Sequence, residues 1–378
     1  MKSFNYLAPT EIVFGAGVVS NVGQYAAKFG KKAIIVTGSR LPKVGDTFKK
    51  VTDSLDVAGI SYVHFDGVIP NPTTKEVTKG ADMAKEFGAE VVIGLGGGSS
   101  IDTAKAIAVE ATHPGSAWDY LHYTDGPTEK TLPIIAIGTT AGTGSQTTPC
   151  SVITKTENLD KSAIWHMNIM PKVAIVDPEL TATLPPQVTA QTGFDAFCHN
   201  FEAYLSVGTN PMVEALALEG IRAIAEYLPR AYRDGSDMEA RAKMSWADTL
   251  GGLAIASGGV TLPHGLGMQV GGHCPHVSHG QALAAFYPAF TRYTYESAKE
   301  KFDKVGAILD SSVDPCTAID NFLKKIDLYI DFKSLNVSKE DIRAIADCGQ
   351  VLGDYKNNPK VATIDEMYDL MMECYDRG

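Results

Sequence analysis

The sequence predicts an α/β domain followed by an all-helical one. Two patterns carry this expectation. Short apolar, β-branched runs alternate with helical segments through the first half, and long helical periodicities take over after Pro185-Pro186. A third observation concerns charge. From Thr249 to Thr291 there is no Asp, Glu, Lys or Arg, although the stretch holds His264, His273, His276 and His279. Such a segment reads as a buried centre, where a charge is costly unless paired or metal-bound.

Taken in order, Phe4–Leu7 and Glu11–Phe14 are expected as short strands at the domain edge. Ala33–Thr37, Ser61–Phe65, Val91–Leu95 and Pro133–Ile137 follow as strands, each bounded by Gly, Pro or Asp. Helical patterns at Thr73–Phe87 and Ile101–Ala111 lie between them, which implies βαβ units and a mostly parallel sheet. Val173–Val176 closes this half. Beyond it, Asn210-Pro211 supplies an N-cap and a proline at the first helical position. Val213, Leu216, Ala217, Ile221, Ile224 and Leu228 then recur at helical spacing. The expected domains are residues 1–184 and 185–378.

Composition narrows the function. The 378 residues are 44% hydrophobic and 20% charged, which is ordinary globular usage, and the net charge is −11. An acidic chain is poorly suited to nucleic acid or an anionic membrane. No run approaches the roughly 20 apolar residues of a membrane span, and the N-terminus lacks the apolar core of a signal peptide. The six cysteines are scattered without a CxxC pair, as expected of reduced, cytoplasmic thiols.

Four constellations could carry chemistry. The first is the run from Gly94 to Lys105, GLGGGSSIDTAK, which follows a strand and opens a helix. Glycine lets the backbone approach phosphate oxygens, and the helix amides donate to the anion. The spacing is neither GxGxxG nor the P-loop pattern. The second is Gly138 to Gln146, GTTAGTGSQ, with hydroxyls that can bind phosphate or ribose; ligands gather at such strand ends. The third is Asp195 with His199. Four residues apart on a helix, both project from one face and can meet at one cation. The fourth is the set of histidines in the uncharged stretch. Imidazoles joined by a carboxylate suit borderline cations, and His273, Cys274, His276 and His279 also leave open a small zinc site.

These motifs together resemble the iron-containing (group III) alcohol dehydrogenases. GGGSSIDTAK at 96–105 and TTAGTGS at 139–145 are similar to that family's nucleotide loops. Asn71-Pro72-Thr73, DPELTATLPP at 177–186, TGFDAFCHNFEAYLS at 192–206, His264-Gly265 and His279-Gly280 extend the likeness over nearly the whole chain. The resemblance implies a Rossmann-like α/β domain and an all-α domain, the fold shared with dehydroquinate synthase, with cofactor and metal in the cleft between them. By motif it implies Asp195, His199, His264 and His279 as ligands of iron, with zinc the alternative. It places the pyrophosphate at Gly97, Gly98 and Ser99, and the nucleotide at Thr139, Thr140 and Thr143. Lesser contacts are Asn71, Asp102, Thr148, Lys161 and Leu180. It further implies a homodimer and a small alcohol or aldehyde as partner. The chain departs from the family at Gly138 and Gln146, usually Pro and Glu, and at Met268, where many members carry histidine.

The chemistry implied is metal-assisted hydride transfer between a short-chain alcohol or diol and a nicotinamide, with no separate side-chain base. Relatives that prefer NAD commonly carry an aspartate after the second strand. Here Gly38, Ser39 and Arg40 follow Ala33–Thr37, which removes a carboxylate that would repel a 2′-phosphate and favours NADP(H). Rival readings are a glycerol dehydrogenase, a dehydroquinate synthase-like lyase and a nucleotide-binding structural protein. The lyase calls for several Arg and Lys about a substrate phosphate, and the uncharged stretch lacks them. Turnover with an added alcohol separates the enzymes from the structural protein.

Overall fold

A computed structural model describes residues 3–43, 45–121, 126–157 and 159–377. The chain divides into two compact units. An α/β unit comprises Ala8–Thr140 and Ser145–Thr183, and a helical unit comprises Met1–Leu7, Ala141–Gly144 and Leu184–Gly378. The segments 3–7 and 141–144 therefore group with the helical half rather than with their sequence neighbours.

The α/β unit runs β1 (Glu11–Phe14), α1 (Val22–Ala26), β2 (Lys32–Gly38), α2 (Thr47–Val57), β3 (Ser61–Val68), α3 (Thr74–Phe87), β4 (Val91–Gly96), α4 (Gly98–Glu110), β5 (Ile134–Gly138), β6 (Cys150–Lys155), β7 (Asp160–Trp165) and β8 (Val173–Val176). Six strands form one sheet in the order β1-β8-β5-β4-β2-β3, with every pairing parallel. Ile35, Ile93, Ile135 and Val173 form one rung across it. Both faces are covered. Ile34, Val36, Val92 and Ile134 pack with residues of α3 and α4, while Ala33, Ile35, Ile93 and Ile135 pack with residues of α1 and α2. Burial on both sides is why these strands read as continuous apolar runs rather than alternating ones. The chain turns from β3 at one edge back to β4 on the far side of β2, so the order reverses between β2 and β4. The carboxyl ends flanking such a reversal are where open α/β sheets take ligands, and here they are Gly38 and Gly96.

Two sequence expectations need correction, and one element lies outside them. Phe4–Leu7 is not a strand; β1 alone forms the sheet edge beyond β8. The fourth helix starts at Gly98, not Ile101, so the glycine run itself forms the first turn. The antiparallel β6–β7 hairpin was not anticipated, because DKSAIW lacks an apolar run.

The helical unit contains α5 (Pro186–Leu205), α6 (Pro211–Arg233), α7 (Met238–Gly258), α8 (Leu262–His273), α9 (His279–Thr294), α10 (Lys299–Asp310), α11 (Pro315–Lys325), α12 (Lys339–Asp347) and α13 (Ile364–Glu373). Prolines occupy first-turn positions in α5, α6, α8 and α11, where no amide donor is missed. Asn210 caps α6 by accepting from Met212 and Val213 amides. α5 is the central rod, and Phe194, Phe197, Phe201 and Tyr287 meet mostly edge-on or tilted about it in one apolar cluster. A Cβ on Gly193 would fall 2.3 Å from Leu228 Cδ1, which shows how closely α6 approaches α5. The uncharged stretch becomes the end of α7, all of α8 and most of α9. Among the described residues, no helix is long and apolar enough to cross a membrane.

Candidate metal centre and nucleotide loops

Helix α5 carries Asp195 and His199 one turn apart, both buried. His264 lies in the first turn of α8 and His279 opens α9, so two helix starts bring their imidazoles to the same carboxylate. Asp195 Oδ1 lies 3.9 Å from His199 Nε2, 3.5 Å from His264 Nε2 and 3.8 Å from His279 Nε2. Ligands each about 2.1 Å from a tetrahedral cation lie about 3.4 Å apart, so the spacing fits one ion. Asp195, His199 and His264 offer donors all within 4.8 Å of one another. Asp195 Oδ1 and His264 Nε2 are buried with no hydrogen-bond partner, a costly state that a cation would relieve. The His279 side chain is 25% exposed against 5–8% for the other three, so the cluster opens on that side.

The other ring nitrogens are tied down. His199 Nδ1 bonds to the Gly142 carbonyl at 3.0 Å and His264 Nδ1 to Glu202 at 2.8 Å. A Cβ at Gly142 would fall 2.5 Å from the Thr192 carbonyl oxygen, so only glycine brings that carbonyl to His199. Burial pushes the Asp195 carboxyl up, but His199, His279 and His264 outweigh it and hold it at about 2. Burial alone would lower His264, yet Glu202 and Asp195 hold it up at about 10. For His199 burial prevails and the value falls. The pocket thus concentrates negative charge, which a dication can neutralise in place of a proton.

The remaining histidines lie elsewhere. His273 Nδ1 bonds to the Gln269 carbonyl and His276 Nε2 to the Leu335 carbonyl. His273 is nine residues along α8 from His264, about 13 Å of helix. Neither belongs to the cluster, which removes the ground for a separate zinc site at His273, Cys274, His276 and His279. Met268 is buried one turn after His264.

In the α/β unit the two glycine loops adjoin. Thr139 N donates to Gly96 O at 2.9 Å, and a Cβ on Gly97 would meet Thr140 Cγ2 at 3.3 Å. Gly96 has φ 147°, a conformation essentially limited to glycine. No side chain caps α4, so the amides around Gly98 and Ser99 are available to an anion. Asp102 accepts from Ser145 Oγ at 2.6 Å and Val152 N at 3.1 Å. Lys161 Nζ donates to Asn71 Oδ1 at 2.8 Å, and Asn71 holds φ 53°. Gly38 ends β2 beside β4, and Ser39 follows exposed. Thr148 is buried, Thr143 falls in the helical unit, and Leu180 packs in the apolar cluster with Val19 and Ile175.

Among the buried charges that the sequence reading did not single out are Lys105 and Glu202. Lys105 Nζ donates to the carbonyls of Ser145, Thr148 and Cys150 at 2.7, 2.9 and 2.6 Å, fixing the turn that carries Thr148. Glu202 lies seven residues after Asp195 on α5. The signal for it was present, since Asp195 and Glu202 are the only charges between Phe194 and Leu205.

Residues 9–178 match the family described as iron-containing alcohol dehydrogenase, and residues 189–375 match the C-terminal region of the Fe-containing alcohol dehydrogenase family. The chain is 33% identical to NAD-dependent methanol dehydrogenase of Bacillus methanolicus over 378 residues, covering 97% of this chain and 98% of that one. It is 40% identical to choline dehydrogenase of Bacillus subtilis over 308 residues, 80% of this chain and 76% of that one. Its fold matches the crystal structure of an archaeal halo-thermophilic alcohol dehydrogenase from a Red Sea brine pool. There the TM-score is 0.95 at 36% identity, over 99% of this chain and 100% of that one.

Proposed function

Because the chain belongs to the iron-containing alcohol dehydrogenase family, a family of NAD(P)-dependent oxidoreductases, we propose that it interconverts a short-chain alcohol or diol and its aldehyde at a metal centre built by Asp195, His199, His264 and His279. The observation that carries this is the convergence of the three imidazoles on Asp195 Oδ1. Bound iron or zinc supplies a Lewis acid for the alcohol or carbonyl oxygen, and the nicotinamide supplies or accepts the hydride.

The chain's own residues supply binding and order. Gly142 and Glu202 fix the ring orientations of His199 and His264, so that Nε2 of each faces Asp195. The open side at His279 leaves room for a small oxygen ligand. Met268 carries no titratable proton, so its position provides no relay. The uncapped start of α4 at Gly97, Gly98 and Ser99, next to Gly96 whose carbonyl accepts from Thr139 N, suits a pyrophosphate, and Thr139, Thr140, Thr143, Thr148, Asn71, Asp102, Lys161 and Leu180 are proposed as further nucleotide contacts. Metal-reconstituted protein assayed against methanol, ethanol, butanol and 1,3-propanediol tests the reading; no turnover with any alcohol in the panel would refute it.

The cofactor reading is NADP(H). What supports it is Gly38 at the end of β2 and the exposed Ser39 and Arg40, the latter without an ion pair among the described residues. The name of the methanol dehydrogenase relative points to NAD instead. A Cβ on Gly38 would sit 3.4 Å from Val68 O, a fit with little adjustment. Gly38→Asp should therefore shift preference toward NAD(H), through weaker NADP(H) binding. Higher kcat/KM with NADH than NADPH in the unmodified enzyme would overturn this reading.

A second substrate reading is an alcohol bearing an ammonium group. It is supported by the choline dehydrogenase relative and by Asp354. That half-buried carboxylate has no hydrogen bond or ion pair among the described residues and lies beside Gly265, the residue after His264. Choline and ethanolamine belong in the panel; preference for a neutral isostere over both would exclude this reading.

A further inference from the structure

We infer that Glu202 is the positioning residue of the metal centre, orienting His264 and completing its charge balance; the inference rests on the metal reading above. Asp195, His199 and Glu202 recur at four- and three-residue steps along α5, so all three carboxylate or imidazole groups leave one face of the helix. Glu202 has no exposed surface. A buried carboxylate needs several donors, and it has three. His264 Nδ1 lies 2.8 Å from Oε1, and Thr261 N and Oγ1 lie 2.8 and 3.1 Å from Oε2. Thr261 is the N-cap position of α8 and His264 lies in its first turn. One carboxylate therefore fixes both where α8 begins and how its imidazole is turned.

The tautomer follows from this arrangement. An ionised carboxylate only accepts, so a neutral His264 must carry its proton on Nδ1. Nε2 then faces Asp195 Oδ1 at 3.5 Å with its lone pair exposed, and it has no hydrogen-bond partner of its own. Asp195 would hold a dication directly and Glu202 stands behind the neutral His264 imidazole, so two carboxylates would balance the charge of a buried site. Partners behind a metal-bound histidine typically contribute 10–100-fold to metal affinity.

Glu202→Gln tests this with almost no change of volume. Glutamine has one accepting oxygen where glutamate has two. If that oxygen keeps the Thr261 amide, its NH2 faces His264 Nδ1, which can accept only if the proton moves to Nε2, where the cation would bind. Apparent affinity for Zn2+ and Co2+, measured by chelator competition on the full chain, should fall 10–100-fold. Glu202→Asp keeps the charge and should recover part of the loss. Thr261→Val removes only the hydroxyl bond and should bind metal within about threefold of wild type. Wild-type binding with an unchanged Glu202→Gln affinity would overturn the inference alone, as would an equal loss in Thr261→Val. A wild-type chain that binds neither ion would overturn the metal reading and this inference together.

Discussion

A single methyl group at Gly280 should disturb the metal centre without touching a ligand. Gly280 is the second residue of α9, directly after His279. A Cβ built there would lie 2.3 Å from the Gln191 carbonyl oxygen, 2.8 Å from its carbonyl carbon and 3.0 Å from its Cα. These are backbone atoms of α5, four residues before Asp195, and no rotamer change moves them. Non-bonded carbon contacts settle near 3.5 Å, so the start of α9 must retreat from α5 by about 1 Å. His279 retreats with it, widening the 3.8 Å gap to Asp195. Metal–ligand bonds hold to within about 0.2 Å, so an imidazole displaced by about 1 Å would no longer serve as a ligand to an ion held by the other three. Gly280→Ala should lower unfolding free energy by about 1–3 kcal/mol, the usual range for overpacking. It should weaken metal binding at least about tenfold, the effect expected when support for a ligand is removed. Urea melts in the presence of EDTA isolate the first effect, and chelator competition with Zn2+ isolates the second. Wild-type metal affinity in Gly280→Ala would refute the claim that contact between α9 and α5 sets the site.

Other perturbations separate the parts. His279→Ala should lose most bound metal and nearly all turnover yet remain folded, because it is the most exposed of the four, whereas His276→Ala should keep both; elemental analysis and activity check the pair. Lys105→Met removes a donor shared by three carbonyls and leaves all three buried acceptors without it, costing about 1–3 kcal/mol or more, read as a lowered Tm. Burial depresses the Lys105 ammonium from 10.5 to about 8 against the pull of Asp102. The unfolded chain then holds that proton more tightly, so the lysine's contribution grows as pH climbs from about 8 towards 10.5 and is lost as pH falls through 8. The stability gap between wild type and variant should widen in alkali; a gap that narrows refutes the assignment. Light scattering should show a homodimer of twice the 40.4 kDa chain mass, joined at the β1 edge, where Phe14 is 40% exposed; a single 40.4 kDa species refutes it.

How much of this was legible depended on how local each signal was. The strands Ala33–Thr37 and Val91–Leu95 declared themselves because burial on both faces demands unbroken apolar runs. The pairing of Asp195 with His199 was legible because four residues make one helical turn. Choosing His264 and His279 over His273 and His276 was not, since the choice depends on which helix ends meet α5; the family resemblance supplied it. The sequence marks Glu202 as a lone charge in an apolar helix but does not show what it faces. Its role exists only once Thr261 and His264 are docked against it, about 60 residues downstream. Lys105 looks like an ordinary helix-surface lysine in sequence, and only the fold shows that it is fully buried.

The pairing of β1 with β8 also sets a timetable for synthesis. Glu11 lies opposite Val173 and Phe14 opposite Val176, so the sheet joins segments about 160 residues apart. At roughly 5–20 residues per second on the ribosome, β1 waits about 8–30 s for its partner to be made. During that interval β2 to β5 can assemble, while β1 trails as an unpaired strand carrying Ile12 and Val13. Its docking closes the longest loop in the sheet and is expected late.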